Sequence, residues 1–202
     1  MSWTADPRVE QILARYPDKK SAVMPFLYMA MAEHGYLTDE AIREVSELVG
    51  MTSVQVSSIA TFYSMYKRER VGSYLISVCT SVSCAILDAA DVLHAIEDEA
   101  GVPAGETGDD GVFTVEHVEC IGACGGAPAV QVNYELIEGV KEDKGRELVR
   151  WLRDAAPDTV LGDEMQALFG GQRSFEWGPA EGEGATGPVP ALDALGTTGG
   201  SS

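Results

Sequence analysis

Four cysteines constrain this chain more than any other feature: Cys79-x4-Cys84, then 35 residues, then Cys120-x3-Cys124. They sit in a stretch, Val71 to Val140, that holds 12 Asp and Glu and not one Lys or Arg. The opening residues, Met1-Ser2-Trp3-Thr4-Ala5-Asp6, lack the basic-then-apolar pattern of a secretory leader. The longest nearly apolar run, Ala22 to Ala32, is interrupted by Pro25 and falls well short of the roughly 18 residues a membrane span needs. A cytoplasmic setting without direct membrane insertion is therefore expected. Disulfides are uncommon there, so four thiols ask for a role other than a staple.

The charge of the whole chain, −18 over 202 residues, argues against a nucleic-acid binder, because such binding rests on clustered cations. Its distribution says more. Residues 1–70 are nearly neutral, with 8 basic and 9 acidic side chains, and 141–177 carry 6 and 8. The acidity is concentrated in the cysteine block.

Punctuation divides the chain into a helical part, an α/β part and an extension. Pro7 opens a first helix. A second is expected over Lys19 to His34, closed by Gly35. A third follows Thr38 as N-cap and stops at Gly50, with Ile42, Val45, Leu48 and Val49 on one apolar face. Thr52 and Gln55 form a capping-box pattern for a fourth, through about Phe62 or Tyr63. These four predict a helical bundle over residues 1–70.

From 71 to 157 the period changes. Tyr74–Val78 reads as a strand, Ala85–Ala100 as a helix, Val112–Val118 and Ala129–Val132 as strands, Tyr134–Ile137 as another, and Lys144–Ala155 as a last helix. That order predicts a small α/β sandwich. Residues 158–202 read as a C-terminal extension. From Gly178 it has 7 Gly and 3 Pro in 25 residues and is expected to be disordered. Gly182-Glu183-Gly184-Ala185-Thr186-Gly187 matches a dinucleotide fingerprint letter for letter, but no strand precedes it, so it carries no such reading.

In this arrangement Cys79 closes one strand, Cys84 opens the next helix, and Cys120 and Cys124 flank a loop after the second long strand. All four emerge at one end of the sheet, which is a soft-metal arrangement. Three readings of it compete. Structural zinc favours compact knuckles, and the x3 spacing around Gly122 suits it less well. Disulfides need an oxidising compartment. An iron–sulfur cluster uses four thiolates, spans more than one ion and tolerates wider spacing, and Gly122, Gly125 and Gly126 let amides approach sulfur. His34, His94 and His117 stand in no Cys/His ligand spacing. Phe62, Tyr63, Met65 and Tyr66 suit either a hydrophobic seam or a docking surface.

The residues themselves are familiar. Ala60-Thr61-Phe62-Tyr63-Ser64-Met65-Tyr66, Val78-Cys79-Thr80, Val118-Glu119-Cys120-Ile121-Gly122-Ala123-Cys124 and Ala127-Pro128 before Val130-Gln131-Val132-Asn133 resemble the E-subunit family of NADH-quinone oxidoreductase, respiratory complex I. The likeness runs from about Pro7 to Ala155. It implies a thioredoxin-like domain after N-terminal helices, with one [2Fe–2S] cluster held by Cys79, Cys84, Cys120 and Cys124. The family's usual Pro before the second Cys is replaced by Val82-Ser83, and Pro128 stands where thioredoxin-like folds often carry a cis proline.

By the same resemblance the chain is an electron-transfer subunit of an oxidoreductase with no NADH or quinone site of its own. Its partners are the flavoprotein subunit that binds FMN and NADH and the larger iron–sulfur subunit. The complex would hold it peripherally on the cytoplasmic face of the inner membrane. The same module serves NAD-linked hydrogenases and formate dehydrogenases, which form the alternative. A non-redox assembly module with a structural zinc on the four cysteines is the rival of a different class. Reduction adds negative charge to an anionic centre, so nearby acids such as Glu116 and Glu119 are expected to lower its potential.

Overall fold

The computed structural model describes residues 2–175 and Gly187. The expected disordered stretch from about residue 178, with the glycine motif at 182–187, lies outside the described residues apart from Gly187. Two compact units divide between Arg70 and Val71.

The first unit is built from helices whose ends are set by side-chain caps. The Asp6 carboxylate accepts from the Arg8 N–H at 2.8 Å and starts α1, Pro7–Ala14. The next helix differs from expectation: Lys19–Ala22 is a 3-10 turn, and α2 proper is Val23–His34. Pro25 supplies the reason. It has no N–H to donate, so it belongs in the first helical turn, where no partner is required. Gly35, at φ +80°, closes α2. The Thr38 hydroxyl accepts from the Ala41 N–H to begin α3, Asp39–Val49. The Thr52–Gln55 capping box begins α4, Ser53–Phe62.

Phe26, Leu27, Ala30 and Met31 of α2, Ile42, Val45 and Val49 of α3, and Val56 and Ala60 of α4 form one buried core with Tyr66. The aromatic run thus divides. Tyr66 is buried and its hydroxyl donates to the Met24 carbonyl at 3.0 Å, whereas Phe62 is 80% exposed.

The second unit begins with the fully buried strand β1, Tyr74–Cys79. The single helix expected over 85–100 is two: α5, Val82–Ile86, and α6, Ala89–Ala100. Asp88 between them adopts φ +65°, a left-handed conformation that Asp tolerates better than most residues. The break lets Cys84 of α5 be buried beside Cys79, while Val92 and Ile96 of α6 pack on the sheet.

The two-residue β2, Glu106–Thr107, precedes β3, Phe113–Val118. Then come β4, Ala129–Val132, and β5, Glu135–Glu138. Asn133 and Tyr134 both have positive φ and form the tight turn between these two strands, which is why the last strand starts one residue later than the sequence pattern suggests. The sheet order is β2-β3-β1-β4-β5, with β1 parallel to β3 and the other neighbours antiparallel.

Helix α7, Glu142–Ala155, buries Leu148, Val149 and Leu152 in the same core as α6. The domain does not stop at Pro157, where the sequence pattern places its end. Helix α8, Gly162–Phe169, adds Met165 and Phe169 to that core, and the Phe169 ring meets Trp151 at 5.6 Å. Eight residues are barely two turns, too short for a clear periodic signal, and tertiary burial makes the helix.

Candidate metal centre

Parallel pairing sets Cys79, the last residue of β1, opposite Val118, the last residue of β3. The chain leaves β3 through Glu119 directly into Cys120, so both strands deliver a cysteine at their C-terminal ends. The Thr80 N–H donates to the Val118 carbonyl at 3.0 Å and keeps the two strand exits together. Helix α5 returns Cys84 to Cys79. Cys124 starts a short 3-10 turn ahead of β4.

The four sulfurs form two pairs. Cys79 and Cys84 are buried together in one small apolar cluster. Cys120 and Cys124 are exposed, with their sulfurs 3.4 Å apart. The pairs also feel each other, since Cys79 and Cys124 both bear electrostatically on Cys84. Ala89, Ala123 and Ala129 pack with the inner pair, and Ile121, Ala127 and Leu136 border them, so one side of the site is dry. The Ala127–Pro128 peptide is cis.

Local donors discriminate among the thiols. Burial pushes Cys84 up to about 11, against a hydrogen bond from the Ala129 N–H that favours its thiolate. Cys120 is held below the ordinary thiol range, chiefly by the Gly122 N–H and then by Cys124. Gly122 reaches back because it takes φ +88°, which glycine adopts without strain. Cys124 is pushed up by Cys120, with the Ser83 hydroxyl opposing.

Every residue expected as a ligand is therefore brought to one site. Sequence reasoning missed the donors to sulfur at Ser83 and at the Ala129 amide, because neither has a spacing signature. Among the described residues, no three His, Cys, Asp or Glu side chains close on a single ion. Four thiols gathered in two pairs are the kind of donor set that an iron–sulfur cluster takes.

Four cysteines gathered at the parallel strand ends of a small mixed sheet suit the class of small iron–sulfur proteins. The chain belongs to the thioredoxin-like [2Fe-2S] ferredoxin family, whose model matches residues 9–153. The family's cofactor is a [2Fe–2S] cluster.

Curated relatives include the NADH-quinone oxidoreductase E subunit of Mycobacterium tuberculosis, 39% identical over 148 residues, covering 73% of this chain and 59% of that protein. The E subunit of Rickettsia conorii is 36% identical over 148 residues, covering 72% and 89%. The second E-type subunit of Rhizobium meliloti is 40% identical over 129 residues, covering 64% and 77%. The chain thus spans well under two-thirds of the mycobacterial relative's length. Among solved structures, the air-oxidised NAD+-reducing [NiFe]-hydrogenase aligns with a TM-score of 0.57 at 17% identity, over 65% of this chain and 23% of that one, a likeness of fold.

Proposed function

We propose that this chain is a one-electron carrier whose [2Fe–2S] cluster is held by Cys79, Cys84, Cys120 and Cys124. The observation that carries the reading is the convergence of two close thiol pairs at the end of β1 and β3. The cluster, when bound, supplies reversible one-electron redox chemistry. The chain's own residues bind it, orient it and set its surroundings. The Gly122 amide stabilises the Cys120 thiolate, the Ala129 amide does so for Cys84, and the Ser83 hydroxyl for Cys124. Burial of Cys79 and Cys84 would keep water from a cluster held there, while exposed Cys120 and Cys124 would leave its other side open to a redox partner.

The names of the relatives support assigning that carrier to an NADH-quinone oxidoreductase. In this reading the chain serves as its E-type component, beside a flavoprotein subunit that binds FMN and NADH and the larger iron–sulfur subunit. It lies on the cytoplasmic side of the membrane through the complex, with no NADH or quinone site of its own. No helix among the described residues is long and apolar enough to cross a membrane, which suits such a placement. Relatives at 36–40% identity carry this reading ahead of the hydrogenase alternative, where the likeness is one of fold.

The test is direct. Protein purified without oxygen should be brown, hold about two iron and two acid-labile sulfide per chain, and give a rhombic EPR signal after reduction. A colourless protein with one zinc per chain would overturn the reading.

A further inference from the structure

The segment that follows α8 lies beyond the span matched by the family, yet it closes on the loop that carries Cys124. Its anchor is Glu138, at the end of β5, a residue only 2% exposed. One oxygen, Oε1, accepts both the Ser174 N–H at 3.0 Å and the Ser174 hydroxyl at 2.5 Å. The Glu138 backbone is gripped as well. Its N–H donates to Gln166 Oε1 at 2.8 Å, and its carbonyl accepts from Gln166 Nε2 at 3.1 Å and from the Gly171 N–H at 2.8 Å. Gln166 Nε2 also donates to the Gly171 carbonyl at 3.1 Å, which ties α8 to the segment after it.

The other side of this assembly is the cysteine loop. The Gly139 N–H donates to the Gly126 carbonyl at 2.6 Å. A Cβ on Gly126 would lie 2.8 Å from the Glu138 Cβ, and one on Gly125 would lie 3.0 Å from Ser174 Oγ. Cys124 is followed immediately by these two glycines, so the backbone that aims its sulfur is seated directly on Glu138 and Ser174.

We propose that Glu138 is a positioning residue for the cluster: it uses Ser174 to clamp the Cys124-Gly125-Gly126 turn, and the segment after residue 170 thereby controls how firmly the cluster is held. The inference rests on ligation by Cys124. Outer partners of this kind alter metal affinity because a ligand held loosely samples geometries in which its bond to metal is broken. An anchor that served folding alone would shift melting temperature without altering the EPR line shape of the intact cluster.

The experiment uses the full holoprotein. Bleaching of the visible absorption is followed under excess iron chelator, with the EPR line shape of the reduced state recorded for each variant. Ser174→Ala removes one hydroxyl at the edge of the clamp and leaves the Glu138 backbone bonds in place. It should bleach several-fold faster than wild type, and Glu138→Ala roughly tenfold faster, each with an altered line shape. Glu138→Gln keeps an oxygen that accepts the same two hydrogen bonds and should restore the slow rate. Wild-type bleaching and line shape in both alanine variants would overturn the clamp, even if their melting temperatures fall. Cys124→Ser separates the two readings. An unaltered cluster in that variant would overturn ligation by Cys124, whereas its loss there with wild-type behaviour in both alanine variants would overturn the clamp alone.

Discussion

Replacing Glu116 with Gln should raise the midpoint potential of the cluster. Glu116 pairs with Ser77 in the β1–β3 register and accepts the Ser77 hydroxyl at 2.7 Å. Ser77 lies two residues before Cys79, so both point to the same face of β1, roughly 7 Å apart along the strand. That places the Glu116 carboxylate about 10 Å from a bound cluster. At an effective dielectric near 20, a unit charge at about 10 Å opposes the incoming electron by about 1.7 kcal/mol. Full screening at 0.1 M salt, where the Debye length is about 10 Å, would reduce this to about 0.6 kcal/mol. For one electron those limits correspond to about 25 to 70 mV.

Glu116 is half-buried, which favours the upper part of that window, and Gln retains the acceptor for Ser77. EPR-monitored redox titration at low and high salt checks both sign and origin. Ser77→Ala, which removes the hydrogen bond but keeps the charge, should move the midpoint much less. An unchanged or lower midpoint in Glu116→Gln would refute the electrostatic argument.

Two further outcomes follow from the thiol and tyrosine environments. In cluster-free protein at mild alkaline pH, iodoacetamide should modify exposed, Gly122-stabilised Cys120 first and Cys84 last, read by peptide mass analysis; early labelling of Cys84 would contradict its burial. The Tyr66 hydroxyl is pushed far above its ordinary value of 10, first by burial and then by Tyr28 and Tyr63. A group whose titration point is raised on folding contributes stability below pH 10 that is lost as pH rises further. Tyr66→Phe should therefore cost about 1 kcal/mol near neutrality, through the hydrogen bond to Met24, and flatten the alkaline loss of stability in pH-dependent denaturant titrations.

Legibility in the sequence followed the range of the forces involved. The caps at Thr38 and Thr52, the stops at Gly35 and Gly50, and the strands on either side of the cysteines are local events. Residues a few positions apart decide them, so spacing and residue type reveal them. The cysteine quartet was legible for a related reason, since strand ends and short loops bring its members together with little freedom. Corrections arose where distant contacts prevailed. Asp88 divides one expected helix because Cys84 and Ile96 must face different surroundings, and α8 forms because Met165 and Phe169 complete a core begun at Tyr74.

The sequence by itself therefore determined a helical unit, a thioredoxin-like sheet and four candidate ligands in two spaced pairs. Tertiary structure alone decided which sulfurs pair, which of them are dry, and which donors each one meets. Those properties depend on side chains converging from separate elements, with Ser83 approaching Cys124, the Ala129 amide approaching Cys84, and Ser174 approaching Glu138 beneath the cysteine turn. None of these approaches has a fixed offset along the chain, so only the packed fold can bring them about.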